Sequence, residues 1–477
     1  MRSYLKFYID GQWVDPVKPA TLDVMNPATD EPAGVISAGS VDDVNLAVAA
    51  AKRAFESWSL TTREERMALL EKIIEVYRTR AEDIALAISE EMGAPFEAVA
   101  KPMQSLLPEL HFVAALDALK NFSFEKAQGT TTIVQEPIGV CAMITPWNWP
   151  ANQLACKIAP ALAMGCTMVL KPSEMAPFDA QILTEVLHEA GVPAGVFNLV
   201  NGDGMSVGAP LTAHEDVDMI SFTGSTRAGQ MISKTAADTI KKLALELGGK
   251  SANIILDDAD FETAITVSVQ TMMLNTGQSC NAPSRLLVPA SKLAEVEEIA
   301  LRTVATIKVG DPMDATTTMG PLASKPHFLK VQGMIAAGID EGAKVICGGV
   351  GLPDGLERGC FTKPTIFSDV NNQMSIAREE IFGPVLCILP YTSDEEAISI
   401  ANDTPYGLSG YVTSGDIERA KKVARKIRAG NIHINGAPFD VNAPFGGYKQ
   451  SGIGREWGSH GFTEFVEIKA ILGDSPE

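Results

Sequence analysis

Apolar and polar positions along the chain fall into two regimes, helical first and then alternating. A short hairpin comes before either: Phe7–Val14 reads FYIDGQWV, with Asp10-Gly11 between two apolar runs. Asp42 and Asp43 are expected to cap a helix through about Ser57. Thr61/Thr62 should start another, with Leu69, Leu70, Ile73, Ile74 and Tyr77 along one face. A further helix is expected over Ala81–Met92, stopped by Gly93. All of these faces read as core packing.

From Gly139 the period changes. Strands are expected at Gly139–Thr145, Thr167–Lys171, Val196–Val200, Met219–Phe222 and Asn253–Leu256. Helices fall between them at Ala151–Met164, Ala180–Ala190, Met205–Thr212 and Ala228–Thr239. That alternation predicts an α/β fold with a doubly wound parallel sheet, whose ligands lie beyond the carboxyl ends of the strands. The second half, from about Gly249, repeats the alternation, with a helix over Ala264–Leu274 and a strand over Arg285–Val288. Two stretches break the rule. Gly129–Gln135 is polar and β-branched, an extended flap closing the segment Asn121–Gln135. Gly436–Gly452 is rich in Gly, Pro and Asn and reads as an irregular, pocket-lining loop.

Length and charge narrow the class. A chain of 477 residues implies two or three domains. A net charge of −20 gives no electrostatic footprint for nucleic acid or for an anionic membrane. No apolar run reaches spanning length, and MRSYLKFYIDGQW lacks the apolar core of a signal peptide. The seven cysteines (141, 156, 166, 280, 347, 360 and 387) show no CxxC pair. No disulfide framework or structural zinc is therefore expected, and a reducing cytoplasm fits. The six histidines lack metal-ligand spacing, so no metal is expected.

Three side chains could carry chemistry. Cys280 sits in NTGQSCNAPSR, on a helix-to-strand loop that can present a thiol to a ligand. Glu246 lies among leucines in LALELGGKS, where burial would raise its pKa toward that of a base near neutrality. Asn148 precedes the helix opened by Pro150, and its amide could donate to an oxyanion beside the positive helix end. Each has a plain alternative: a buried structural cysteine, a salt-bridged glutamate at a strand end, a helix cap. There is no GxGxxG; the spacing Gly224 to Gly229 marks a cap, with Ser225 or Thr226 starting the helix.

Seven stretches in order resemble the NAD(P)-dependent aldehyde dehydrogenase family, over nearly the whole chain. They are PWNWP, KPSE, FTGST, LELGGK, GQSC, EEIFGP and PFGGYKQSG. The resemblance implies two Rossmann-like domains, cofactor-binding (1–120 and 140–248) and catalytic (249–450), plus a flap and tail (121–139 and 451–477) for oligomerisation. The flap would join the tail, about Phe462–Leu472, to bridge subunits in a dimer or tetramer. Cys280 would be the nucleophile, Asn148 the oxyanion donor and Glu246 the base that hydrolyses the thioester.

For the cofactor, the resemblance assigns Ile144, Thr145, Pro146, Trp147, Phe222, Gly224 and Ser225 around the first and fourth strands. It adds Gly204, Gly208, Leu247 and Gly248, sets Lys171, Ser173 and Glu174 at the adenosine ribose, and Glu380 and Phe382 at the nicotinamide. Met103, Leu107, Trp149, Ser279, Asn281, Pro438 and Phe439 would line the substrate pocket, mostly apolar or neutral, which favours an uncharged aliphatic or aromatic aldehyde over a carboxylated semialdehyde. Glu456 would relay protons from the base, against the plain reading of a solvated helix acid. The Glu174 carboxylate favours NAD over NADP, with Lys171 and Ser173 pulling the other way. Rival readings are a CoA-acylating relative, against which Glu246 speaks, and a thiol hydrolase pairing Cys280 with His433, which lacks an evident orienting acid. A non-catalytic descendant would be expected to have lost Cys280 or Glu246.

Overall fold

The computed structural model describes residues 1–474; the last three residues of the expected 451–477 tail lie outside the described residues. Two large, mostly parallel sheets dominate. The first has eight strands in the order Gly452–Ile453, Lys242–Glu246, Met219–Thr223, Val140–Ile144, Thr167–Lys171, Phe197–Leu199, Phe7–Ile9 and Gln12–Val14. Its five central strands are parallel, and antiparallel strands close both edges. Strand order reverses at Val140–Ile144, the point where a doubly wound sheet opens a crevice. The edge hairpin turns at Asp10-Gly11, both at positive φ (54° and 76°), which is the turn the DG pair predicts.

The second sheet has seven strands, and its six from Thr365–Ser368 to Asn431–Ile434 are parallel. Both sheets therefore carry the α/β winding that the alternating pattern predicts. Central strands such as Val140–Ile144, Thr167–Lys171, Met219–Thr223 and Arg285–Pro289 are buried end to end, as sheets covered on both faces require. The flap forms as expected: Glu125–Gln128 pairs with Thr131–Pro137, which pairs along its length with Val466–Leu472 of the same chain. A further small sheet of Arg2–Tyr4, Glu31–Ser37 and Thr21–Asn26 was not foreshadowed by periodicity.

The helices differ from expectation in three places. The first, Val41–Trp58, is capped by Ser40 with Asp43 answering in a capping box, so Asp42 and Asp43 are first-turn acids and not the cap. The two helices expected between Thr61 and Met92 are one, Arg63–Met92, with a Thr62/Glu65 capping box and Gly93 at φ 78°. No breaker interrupts it: Thr79 bonds back to the Val76 carbonyl, and Arg80 is held by Asp83 and Glu185. The stretch expected as a helix over Met205–Thr212 opens as a wide turn, Gly204–Gly208, capped by Asp203, before Ala209–Ala213 turns α-helical. Among the described residues, no helix is long and apolar enough to cross a membrane.

Candidate active site

Cys280 follows the helix Phe261–Met273 through a turn in which Asn275, Thr276 and Gly277 all have positive φ (51°, 58° and 68°). Left-handed backbone at Asn and Thr costs roughly 1–3 kcal/mol per residue and persists only where neighbours over-determine it. Here they do. Asn275 donates to the Asn148 carbonyl (2.8 Å) and accepts from Gln104 (3.1 Å), and Thr276 donates to the Gly320 carbonyl (3.0 Å). Cys280 is partly accessible and unpaired with any other cysteine. Burial, and then the charges of Glu380 and Glu246, push its thiol far up, so at rest it is protonated.

Asn148 is buried, and its amide donates to the Gln278 carbonyl (3.1 Å), two residues before Cys280. It is not a helix cap: the N-cap of Pro150–Met164 is Trp149, and no side chain caps that end. Trp149 instead reaches across to Ser279, donating from its indole at 2.7 Å. With the Asn275 bond to the Asn148 carbonyl, the stretch after the Val140–Ile144 strand is thus tied three times to the Cys280 loop.

Glu246 ends the strand Lys242–Glu246 and is almost fully buried. Among the described residues it makes no salt bridge, which corrects the plain reading of a paired strand-end acid, and its Oε2 has no hydrogen-bond partner. Burial first, and the Glu456 charge second, raise its pKa well above the carboxylate range. Glu456 is not a solvated helix acid. It is buried, pairs with Lys157, and accepts from the Cys156 thiol (3.4 Å).

One cavity of about 180 Å³ gathers these groups. Pro146, Trp147, Asn148, Gly224, Ser225, Glu246, Leu247, Gly248, Cys280, Glu380 and Phe382 line it. Thr223, His327 and Lys330 do too, and sequence reading did not single them out. Only the Ser324-x-x-His327 helix start was visible in the sequence, and it says nothing of a site. Glu380 is held by the Gly249 amide (2.9 Å), and a Cβ on Gly248 would sit 2.4 Å from its Oε2, so a side chain there would displace the carboxylate. Its carboxyl is raised by burial. Ser225 caps Thr226–Ala236 by accepting from Ala228 (3.2 Å). The cap reading of that spacing is correct, and Ser225 borders the cavity as well.

Ile144, Thr145, Lys171, Ser173, Glu174, Gly204, Gly208 and Phe222, expected at the cofactor, do not line this cavity. Lys171, at the end of its strand, pairs with Glu174 (3.1 Å), and burial lowers its ammonium pKa. The side chain of Ser173 accepts from Met175 (3.2 Å). Gly208 lies over the Lys171 side chain, and Gly224 over the Phe222 ring. Thr145 donates to the Lys171 carbonyl (3.2 Å), and Ile144 pairs with Phe222 across the strands. Gly204 opens the turn that Asp203 caps. None of the seven residues expected at the substrate pocket, Met103, Leu107, Trp149, Ser279, Asn281, Pro438 and Phe439, lines the cavity. Phe439 packs instead on His433, whose ring stacks on Tyr411, and Tyr411 donates to the Asn281 carbonyl (2.9 Å). His433 bonds the Ala437 carbonyl (2.8 Å) and has no hydrogen bond to Cys280, so the hydrolase pairing is not formed.

Comparisons with known proteins give the family. The aldehyde dehydrogenase family model matches residues 13–471. The chain is 61% identical to a 3-succinoylsemialdehyde-pyridine dehydrogenase of Pseudomonas sp., over 99% of both chains. It superposes with a TM-score of 0.98 on a cysteine-to-alanine mutant of Pseudomonas syringae aldehyde dehydrogenase C complexed with NAD+ and octanal, at 51% identity over 99% of this chain and 97% of that one. A Staphylococcus aureus betaine aldehyde dehydrogenase complexed with NAD+ matches at TM-score 0.95 and 38% identity, over 99% of this chain and 96% of that one. The chain in which one cavity is lined by Cys280, Glu246 and Asn148 therefore belongs to the aldehyde dehydrogenase family.

Proposed function

We propose that this chain oxidises an uncharged aldehyde to the free carboxylic acid with NAD, through a thioester on Cys280. The supporting observation is that Cys280, Asn148 and Glu246 line the same cavity as Glu380 and Phe382. The Cys280 thiol, protonated at rest, first gives up its proton to solvent, and attack by the thiolate on the carbonyl carbon makes a thiohemiacetal oxyanion. The Asn148 amide and the Cys280 backbone N–H are the donors for it, and donors fixed in a dry site stabilise charge that develops there. Glu246, poorly solvated and with a free Oε2, is the base for the water that hydrolyses the thioester. Lys157 and Glu456 stand behind it as the route by which its proton leaves.

The residues present fit a dinucleotide. The buried Thr223 hydroxyl in the cavity wall has no partner, Gly224 and Gly248 leave the wall free of side chains, and Ser225 opens a helix at its edge. Lys171, Ser173 and Glu174 would hold the adenosine ribose, and Glu380 and Phe382 the nicotinamide half. When bound, the oxidised nicotinamide supplies a positive charge and the hydride acceptor. Two structural neighbours are complexes with NAD+, and Glu174 disfavours a 2′-phosphate, so NADP is the weaker choice. The octanal of one neighbour and the pyridine of one relative's name both suit the neutral pocket expected from sequence.

The same reading covers assembly and compartment. The flap and tail present exposed Ile468, Ile471 and Leu472 on an edge strand, which supports subunit bridging in a dimer or tetramer. The boundaries 1–120 with 140–248, 249–450, and 121–139 with 451–477 then describe cofactor, catalytic and bridging parts. Seven free cysteines, five of them buried, suit the reducing cytoplasm.

Rapid mixing of Glu246→Gln with aldehyde and NAD, without CoA, is the test. The expected result is a burst of NADH equal to the sites, then turnover slowed by about 10²-fold or more, with no burst in Cys280→Ala. A missing burst in the glutamine variant would overturn this division of roles.

A further inference from the structure

Phe382 is the cavity's most strained wall. Its φ is +62°, a conformation that a bulky residue adopts only when held. Its hydrogen-bonded hold comes from one helix, Lys325–Asp340, which neither motif nor periodicity linked to the site. His327 and Lys330, three residues apart on that helix, reach the same loop. His327 Nε2 donates to the Phe382 carbonyl at 2.6 Å, and Lys330 Nζ to the Glu380 carbonyl at 3.0 Å. A carbonyl can only accept, so Nε2 carries the ring proton. Burial lowers the ring's pKa to about 4, which favours the neutral form.

The His327 position is itself fixed. Ser324 caps the helix by accepting from the His327 amide, and the His327 ring packs against Trp147 (5.2 Å between centroids) and Phe382 (5.9 Å). Trp147 meets Phe382 edge-on at 5.5 Å. The three rings form one side of the cavity that also holds Cys280.

We propose that His327 is a positioning residue: its hydrogen bond to the Phe382 carbonyl keeps that residue left-handed and so fixes the ring that packs the cofactor's nicotinamide half. The inference rests on the reading of Phe382 as a cofactor contact. It concerns binding of NAD before any chemistry, and it assigns His327 no proton transfer.

The test measures NAD binding to the full-length protein by calorimetry, alongside the KM for aldehyde at saturating NAD. His327→Leu should raise the Kd for NAD about ten-fold, the scale of leaving a buried carbonyl unpaired, while the aldehyde KM is unchanged. His327→Gln, which can still donate, should restore most of the affinity. In a Phe382→Gly background, where the left-handed backbone is free of strain, the leucine substitution should have no further effect. His327→Met carries the same expectation should the leucine variant not fold. Unchanged Kd in the donorless variants, or a glutamine variant as weak as leucine, overturns the proposal. If Phe382→Gly alone leaves NAD binding unchanged, it is the reading of Phe382 that fails, and the two failures are told apart.

Discussion

The two large sheets feed the cavity from opposite ends of their strands. In the first, the residues come where strands finish: Glu246 and Thr223 are last in theirs, and Asn148 follows Val140–Ile144. In the second they come where strands begin: Cys280 precedes Arg285–Pro289, and Phe382 precedes Val385–Tyr391. The backbone differs in kind as well. None of the cavity residues from the first sheet has positive φ, whereas Asn275, Thr276, Gly277 and Phe382 all do. A strand's carboxyl end delivers a side chain at no conformational cost, and the first sheet uses it for the amide and the base. The second sheet brings its thiol in on a strained loop, and contacts from the first sheet hold that loop in place. Asn148 and Trp149 reach Gln278 and Ser279, and a Cβ on Gly277 would strike the Gly383 carbonyl, the next residue after Phe382.

Breaking the link between the regions should have the largest effect. Asn148→Ala removes both the proposed oxyanion donor and the bond to the Cys280 loop. Its kcat/KM should fall about 10²-fold or more, with a stability loss of about 1 kcal/mol. Steady-state kinetics beside thermal unfolding decides: a fall in Tm with intact kcat/KM would leave Asn148 a mere tie.

Strain in the second region can be probed directly. Gly277→Ala places a methyl 2.3 Å from the Gly383 carbonyl at a φ of +68°, so the two strained loops cannot keep their contact. Denaturant unfolding should show a loss of about 2 kcal/mol, the scale of one incompatible left-handed residue with a backbone clash. Equal stability would mean that the loops are less mutually dependent than their contact indicates.

The smallest effect is expected in the relaxed region, far from the thiol. Lys171 already pairs with Glu174, so the carboxylate's repulsion of a 2′-phosphate is partly offset. Glu174→Gln should narrow the NAD over NADP preference by about five-fold, the scale of one partly exposed charge contact. Parallel kcat/KM measurements with both cofactors check it, and a wild type that prefers NADP would reverse the roles of Lys171 and Glu174.

The sequence by itself determined what neighbours along the chain decide. Period and turn chemistry were enough for the DG hairpin, the Thr167–Lys171 strand and the Ser225 cap. An acid among leucines at a strand end announced the buried Glu246. Ordered motifs placed Cys280, Asn148, Glu380 and Phe382 in one family before any geometry was known. What it did not determine are properties that belong to pairs of distant residues. Glu456 reads locally as an exposed acid, and it is buried because Lys157, 299 positions away, lies against it. His327 is an ordinary residue in a helical first turn until Phe382, 55 positions on, brings a carbonyl to its ring. The left-handed backbone of Phe382 has no sequence signature, because the penalty for it is local while the contacts that sustain it come from two other elements. Only the tertiary structure sets those contacts, since burial, charge pairing and sustained strain arise when the chain has closed on itself.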